Sequence, residues 1–173
     1  VADFLTDEGH FERALSWIVR AQRRAPNATE AWLADAYVAL RSGDLSRALS
    51  SMGQALKRDP LRAMTKGKRV FDLSIRLGES CAFLPVLKAL PEEMGVLRNL
   101  SMYQLGVGCG DEEVHQSAFE QLMQQDSGAG RQAMILLGQL SLEGGRFGDA
   151  VRVYQALLMR WSDLSGDMGD ERG

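Results

Sequence analysis

The chain is poor in the residues that catalysis and metal binding draw on. Its 173 residues include two cysteines and two histidines. That is too few and too scattered for a metal site, which needs three or four converging ligands. His10 falls in an expected turn between helices and His115 near an expected helix start. No nucleophile–base motif is present, and nothing calls for a cofactor. No apolar run approaches the ~20 residues that span a bilayer, and no signal-peptide pattern opens the chain. β-branched residues are sparse and no segment alternates with period two, so a sheet is not expected. Cys81 and Cys109 read as buried free thiols that pack as small hydrophobes; a disulfide between them would require close Cα atoms.

Glycine supplies the pattern. Gly9, Gly43, Gly78, Gly110 and Gly145 stand 34, 35, 32 and 35 residues apart, in a chain whose apolar residues otherwise fall at helical spacing. A period of this length marks stacked helix-turn-helix units. Glycine suits each turn because it takes φ > 0 without steric cost. GHFERALSWIVRAQRRAP from Gly9 overlays GDLSRALSSMGQALKRDP from Gly43, with Ala14 on Ala48, Ala21 on Ala55 and Pro26 on Pro60. The small alanines sit where two helices approach closely, and the prolines stop each second helix. GRFGDAVRVYQALLMRW, from Gly145, restates the pattern with Phe147, Ala150 and Tyr154.

Helices are expected near 1–7, 11–24, 29–42, 45–58, 62–76, 80–90, 96–108, 112–125, 130–143 and 147–161. Gly106-Val-Gly108-Cys-Gly110 reads as a helix-ending turn rather than a phosphate loop, because it follows a helical pattern and lacks the full dinucleotide spacing. Gly128-Ala-Gly130-Arg131 reads as a loop before the last repeat. Val1 falls in mid-repeat, as in a fragment of something longer. Residues 1–161 read as one helical repeat domain, and 162–173 as a flexible acidic tail or linker.

Trp32, Ala36, Gly43, Ala48, Met52, Ala55 and Pro60 stand in the order of a known 34-residue pattern. Gly138, Gly145, Ala150, Tyr154 and Leu157 meet most of it again. The chain therefore resembles the tetratricopeptide repeat family over nearly its whole length to about residue 161. About five repeats are expected. The match is fullest in the first, second and fifth; Gly78 and Gly110 keep the period between them, although Pro91 comes early and Glu112 replaces a large apolar residue. The resemblance implies an all-α, right-handed superhelical solenoid of antiparallel helix pairs. It also implies that first helices line a concave face carrying the ligand contacts.

On that basis the binding stripe is Glu30, Leu33, Tyr37, Leu40 and Arg41 in repeat two, then Thr65, Lys68, Asp72, Ile75 and Arg76 in repeat three. Leu97, Leu100, Gln104 and Val107 continue it, followed by Gln132, Ile135, Gln139 and Leu142. Lys68, Asp72 and Arg76, spaced by four, share one helix face and form a charged ladder, equally fit for internal salt bridges or for a ligand. Residues 1–76 hold 13 basic against 9 acidic side chains, and residues 77–173 hold 7 against 14. The basic extreme is Lys57, Arg58, Arg62, Lys66, Lys68 and Arg69, readable as a solvated surface or as a site for an acidic partner. Only Phe71 accompanies it, which argues against a nucleic-acid platform.

The expected activity is therefore that of a non-enzymatic protein-interaction scaffold. Its ligand would be a peptide or partner helix with an acidic end and apolar anchors. Two other classes stay open: a regulatory or substrate-docking segment of a larger glycosyltransferase or methyltransferase, and a self-associating part of a bacterial envelope secretion or polysaccharide-export assembly. Cytosol is the default compartment, with periplasm as the alternative.

Overall fold

The computed structural model describes residues 9–91, 94–125 and 128–161. The helix expected at 1–7 and the tail expected at 162–173 lie outside them. The described residues form ten helices and no strand: α1 (Phe11–Arg24), α2 (Thr29–Arg41), α3 (Leu45–Arg58), α4 (Pro60–Lys66), α5 (Lys68–Arg76), α6 (Ser80–Lys88), α7 (Gly95–Cys109), α8 (Glu112–Met123), α9 (Gly128–Glu143) and α10 (Phe147–Trp161). The fold is an all-α solenoid of antiparallel pairs.

The reversal between partners is chemical as well as steric. At Gly43 φ is +81°, a left-handed conformation that costs a residue with a Cβ about 1–2 kcal/mol. Gly43 N–H donates to the Leu40 carbonyl (3.1 Å) and Asp44 N–H to that of Ala39 (2.8 Å), which satisfies two of the last helical acceptors. Asp44 then caps the next helix by accepting from Arg47 N–H at 3.0 Å. The same two backbone bonds close the turns at Gly78, Gly110 and Gly145. Asp111 repeats the cap on Val114 N–H, again at 3.0 Å.

Stacking sorts the helices into two layers. In the inner layer α5 packs on α2, α7 on α5 and α9 on α7; α3, α6, α8 and α10 back them, each packed on its pair partner or on the next outer helix. Ala14, Ala48, Ala55 and Ala150 are buried between layers. Larger side chains fill two centres, one around Met52, Phe71, Phe83 and Leu87, the other around Tyr103, Phe119, Leu122 and Leu137. On α10, Phe147, Val151, Tyr154 and Leu158 form an exposed row at i, i+4, i+7 and i+11.

Gly128–Arg131, read as a loop, forms the first turn of α9, and three further features depart from the sequence reading. The helix expected at 62–76 begins at Pro60 and divides at Gly67. Pro60 ends α3 but also opens α4, where a missing amide hydrogen costs nothing, with Asp59 accepting from Arg62 N–H at 3.0 Å. Gly67 is buried, and a Cβ there would lie 2.4 Å from the Ala63 carbonyl oxygen and 3.1 Å from Met52 Cε. Its dihedrals, φ −78° and ψ −2°, lie off the α-helical values. The third departure is Cys81 and Cys109. They are not free thiols but a disulfide, with Cα atoms 5.1 Å apart. Their 28-residue separation hides the contact, because stacking sets the first turn of α6 beside the last turn of α7.

One buried carboxylate ties α2 to α3. Asp35 is 3% exposed and accepts from Ser51 Oγ, Arg47 Nη2 (2.6 Å) and Arg47 Nε (3.2 Å). This bond raises the Arg47 pKa above its ordinary value. Asp35→Ala leaves the Ser51 hydroxyl without that partner and should cost about 1–3 kcal/mol in urea unfolding. Asp35→Asn, which still accepts hydrogen bonds, should recover part of the loss.

Candidate partner-binding groove

The inner layer carries two connected depressions and a third beside them. Glu30, Leu33, Ala34 and Tyr37 of α2 face Lys66, Arg69 and Val70 across a cavity of about 150 Å³. Farther along, Met64, Thr65, Lys68 and Phe71 meet Leu97, Leu100 and Gln104 of α7, and Leu136, Gln139, Leu140 and Glu143 of α9, around about 260 Å³. Asp72, Ile75 and Arg76 of α5 line the third, of about 220 Å³, with Tyr103, Gln104, Val107, Gly108 and residues of α9. Gln104, Leu140 and Glu143 belong to both of the last two, which joins them into one trough.

The structure brings Lys68, Asp72, Arg76, Gln104 and Gln139 to that trough. Lys68 Nζ lies 2.8 Å from Asp72 Oδ2, and Gln104 Nε2 donates to Asp72 Oδ1 at 2.8 Å. Asp72 is thus held from both sides. Arg76 is exposed at the rim and has no partner among the described residues. Glu30, Leu33 and Tyr37 line the smaller cavity, with Glu30 ion-paired to Arg62 and the Arg69 guanidinium 4.9 Å from the Tyr37 ring centre. Leu40 is 3% exposed, within the core, while Arg41 is open to solvent.

Two aspects of the stripe escaped the sequence. On α9 the trough is lined by Leu136, Gln139, Leu140 and Glu143; Ile135 and Leu142 do not line it. That helix is apolar on most of its circumference, so spacing alone could not set its phase. Tyr103 was missed as well. Its hydroxyl donates to Asp149 Oδ2 (3.0 Å) and meets Ser141 Oγ (2.8 Å), and its ring packs on His115 and Phe119. A polar handle on a buried aromatic was the available signal.

The basic cluster is largely occupied within the fold. Arg58 stacks 4.5 Å from the Trp32 ring centre and donates to the Pro26 carbonyl at 2.8 Å. Arg62, Lys68 and Arg69 have the inner-layer partners described above. Lys57 and Lys66 are exposed. The cluster is also divided between an outer helix, α3, and the inner α4 and α5, so it is not one patch.

No group of three or more His, Cys, Asp or Glu side chains converges on a metal-sized site among the described residues. Nor is any described helix long and apolar enough to cross a membrane.

Burial, reinforced by the Asp149 carboxylate, pushes the Tyr103 pKa up to about 12. A folded-state pKa above the unfolded one gives stability that is full below about pH 10 and is lost as pH rises toward 12. Ultraviolet titration of the folded protein should show a late phenolate near pH 12, absent in Tyr103→Phe.

Comparison with curated proteins finds no match. Residues 5–63 match the tetratricopeptide repeat family, and they include the Gly9 and Gly43 turns and the first inner–outer pair, α2 and α3. Over residues 5–63, this chain carries the tetratricopeptide repeat pattern.

Proposed function

We propose that the protein is an interaction scaffold whose concave trough holds a linear peptide or partner helix bearing an acidic group and a large apolar side chain. Tetratricopeptide repeats are in general protein–protein interaction modules, typically without catalytic residues of their own. The finer reading is carried by one observation, the trough shared by α5, α7 and α9. Its floor of Phe71, Leu97, Leu100 and Leu140 favours an apolar anchor, and at about 260 Å³ one large side chain is of suitable size. At its edge Arg76 offers a guanidinium with no partner among the described residues, suited to bidentate capture of a carboxylate. Asp72, already held by Lys68 and Gln104, offers little to a cationic ligand.

The exposed row on α10 supports self-association as a second reading, since apolar rows of this kind often mark contact surfaces. The Cys81–Cys109 disulfide favours an oxidising compartment such as the periplasm over the cytosolic default.

Selection from a random peptide library displays the preference directly. Enriched sequences should pair an acidic residue with Leu, Phe or Met a few positions away, and Arg76→Glu should reduce their retention by about tenfold or more, the worth of a charge-assisted contact. Enrichment of basic peptides, or equal retention by Arg76→Glu, would remove this reading.

A further inference from the structure

The Cys81–Cys109 disulfide lies at the edge of the trough. The last turn of α7 is held at several points. A Cβ on Gly108 would lie 2.8 Å from Ile75 Cγ1 of α5, and one on Gly106 would lie 2.9 Å from the His115 amide nitrogen of α8. From the turn after α9, a Cβ on Gly144 would meet Val107 Cγ1 at 3.1 Å. These near-contacts leave no room for side chains, and the turn that makes them supplies Val107 and Gly108 to the pocket containing Arg76.

The disulfide adds α6 to this junction. Cys109 closes α7 and Cys81 lies in the first turn of α6, only five residues beyond Arg76. A short arm through the Gly78 turn therefore links the Arg76 wall of the pocket covalently to the Val107–Gly108 wall. Cys81 is exposed whereas Cys109 is half-buried. A reagent in solution thus reaches one sulfur more readily than the other, and access is one of the controls on exchange.

We propose that Cys81–Cys109 is a thiol–disulfide exchange site that controls the shape of the Arg76 pocket, its reaction partner being a dithiol reductant. One thiolate of the reductant attacks the Cys81 sulfur. The protein S–S bond breaks, and Cys109 leaves as a thiolate that takes a proton from water. The reductant's second thiolate then attacks its own sulfur in the mixed disulfide, releasing Cys81 as a thiolate that is protonated in turn. Two electrons pass to the protein, and the reductant ends as a disulfide. Oxidised, the bridge holds the end of α7 against α5 and α6. Reduced, that end keeps the close glycine contacts and the Gln104–Asp72 hydrogen bond but loses its covalent tie to α6. The consequence for binding rests on the trough being the ligand site; the exchange chemistry does not.

Dithiothreitol serves as the probe, acting on protein purified without reductant. A thiol titration in denaturant should find none before treatment and two after it. Hydrogen–deuterium exchange should then quicken by about tenfold or more in residues 72–81 and 103–109 and stay unchanged in 29–58, with reoxidation restoring protection. The double variant Cys81→Ser/Cys109→Ser should show the reduced pattern and ignore dithiothreitol. Two thiols before treatment, unchanged exchange after it, or loss of helicity throughout the chain would each overturn the proposal. A library-selected peptide should bind the oxidised form at least several-fold tighter. Equal binding to both forms overturns the control of the pocket, while binding to neither contradicts the trough as ligand site and leaves the exchange result standing.

Discussion

The left-handed glycine turn is the constraint on which the rest depends. The inner helices α2, α5, α7 and α9 each end in the same way, with glycine at positive φ and two amides turned back onto the helix's last carbonyls. A polar residue follows, and at Asp44 and Asp111 its carboxylate caps the outgoing helix. Sharp reversal at a fixed interval brings consecutive helices antiparallel, and repetition lays the inner helices side by side. The trough is a consequence of that lateral order. No single repeat contains it, because its walls come from α5, α7 and α9.

Packing converts the periodic backbone into a surface with individual character. Small residues set how closely neighbours approach: Gly106 against His115, Gly108 against Ile75, and Gly138 against Tyr154. The buried Asp35 is satisfied in a triad with Arg47 and Ser51. What remains open at the trough is a narrow set of groups. An apolar floor lies beside a neutralised Asp72, an Arg76 left open to solvent and, across from it on α9, the exposed Glu143. This asymmetry, rather than the net charge of either half, supports an acidic ligand with an apolar anchor.

Much of the architecture was legible in the sequence because the turn chemistry is local. A glycine that needs positive φ can be recognised by its interval, and the helix limits around Gly43 and Gly145 followed from it. Gly67 was not legible. It has no positive φ, and its requirement for hydrogen in place of a Cβ comes from Ala63 and from Met52 on the preceding outer helix. The disulfide was hidden for a related reason, since two cysteines in successive pairs meet only once the pairs have stacked. The trough was legible on α5, where charged residues alternate with core residues and define a face. On α9 only Gln139 was, because Met134, Ile135, Leu136 and Leu137 offer no polar residue to mark which side is open. Arg69 against Tyr37, and Tyr103 against Asp149, are contacts between helices that no spacing rule encodes.

The turn glycines permit a direct comparison. A Cβ built on Gly43 or on Gly53 would meet no atom within 4 Å, but only Gly43 has positive φ. Gly43→Ala and Gly53→Ala therefore separate backbone conformation from crowding. Urea unfolding of both variants should show Gly43→Ala destabilised by about 1–2 kcal/mol, and Gly53→Ala, inside α3, unchanged or stabilised by up to about 1 kcal/mol. Equal effects of the two substitutions, or a stabilised Gly43→Ala, would contradict the dependence of the array on its left-handed turns.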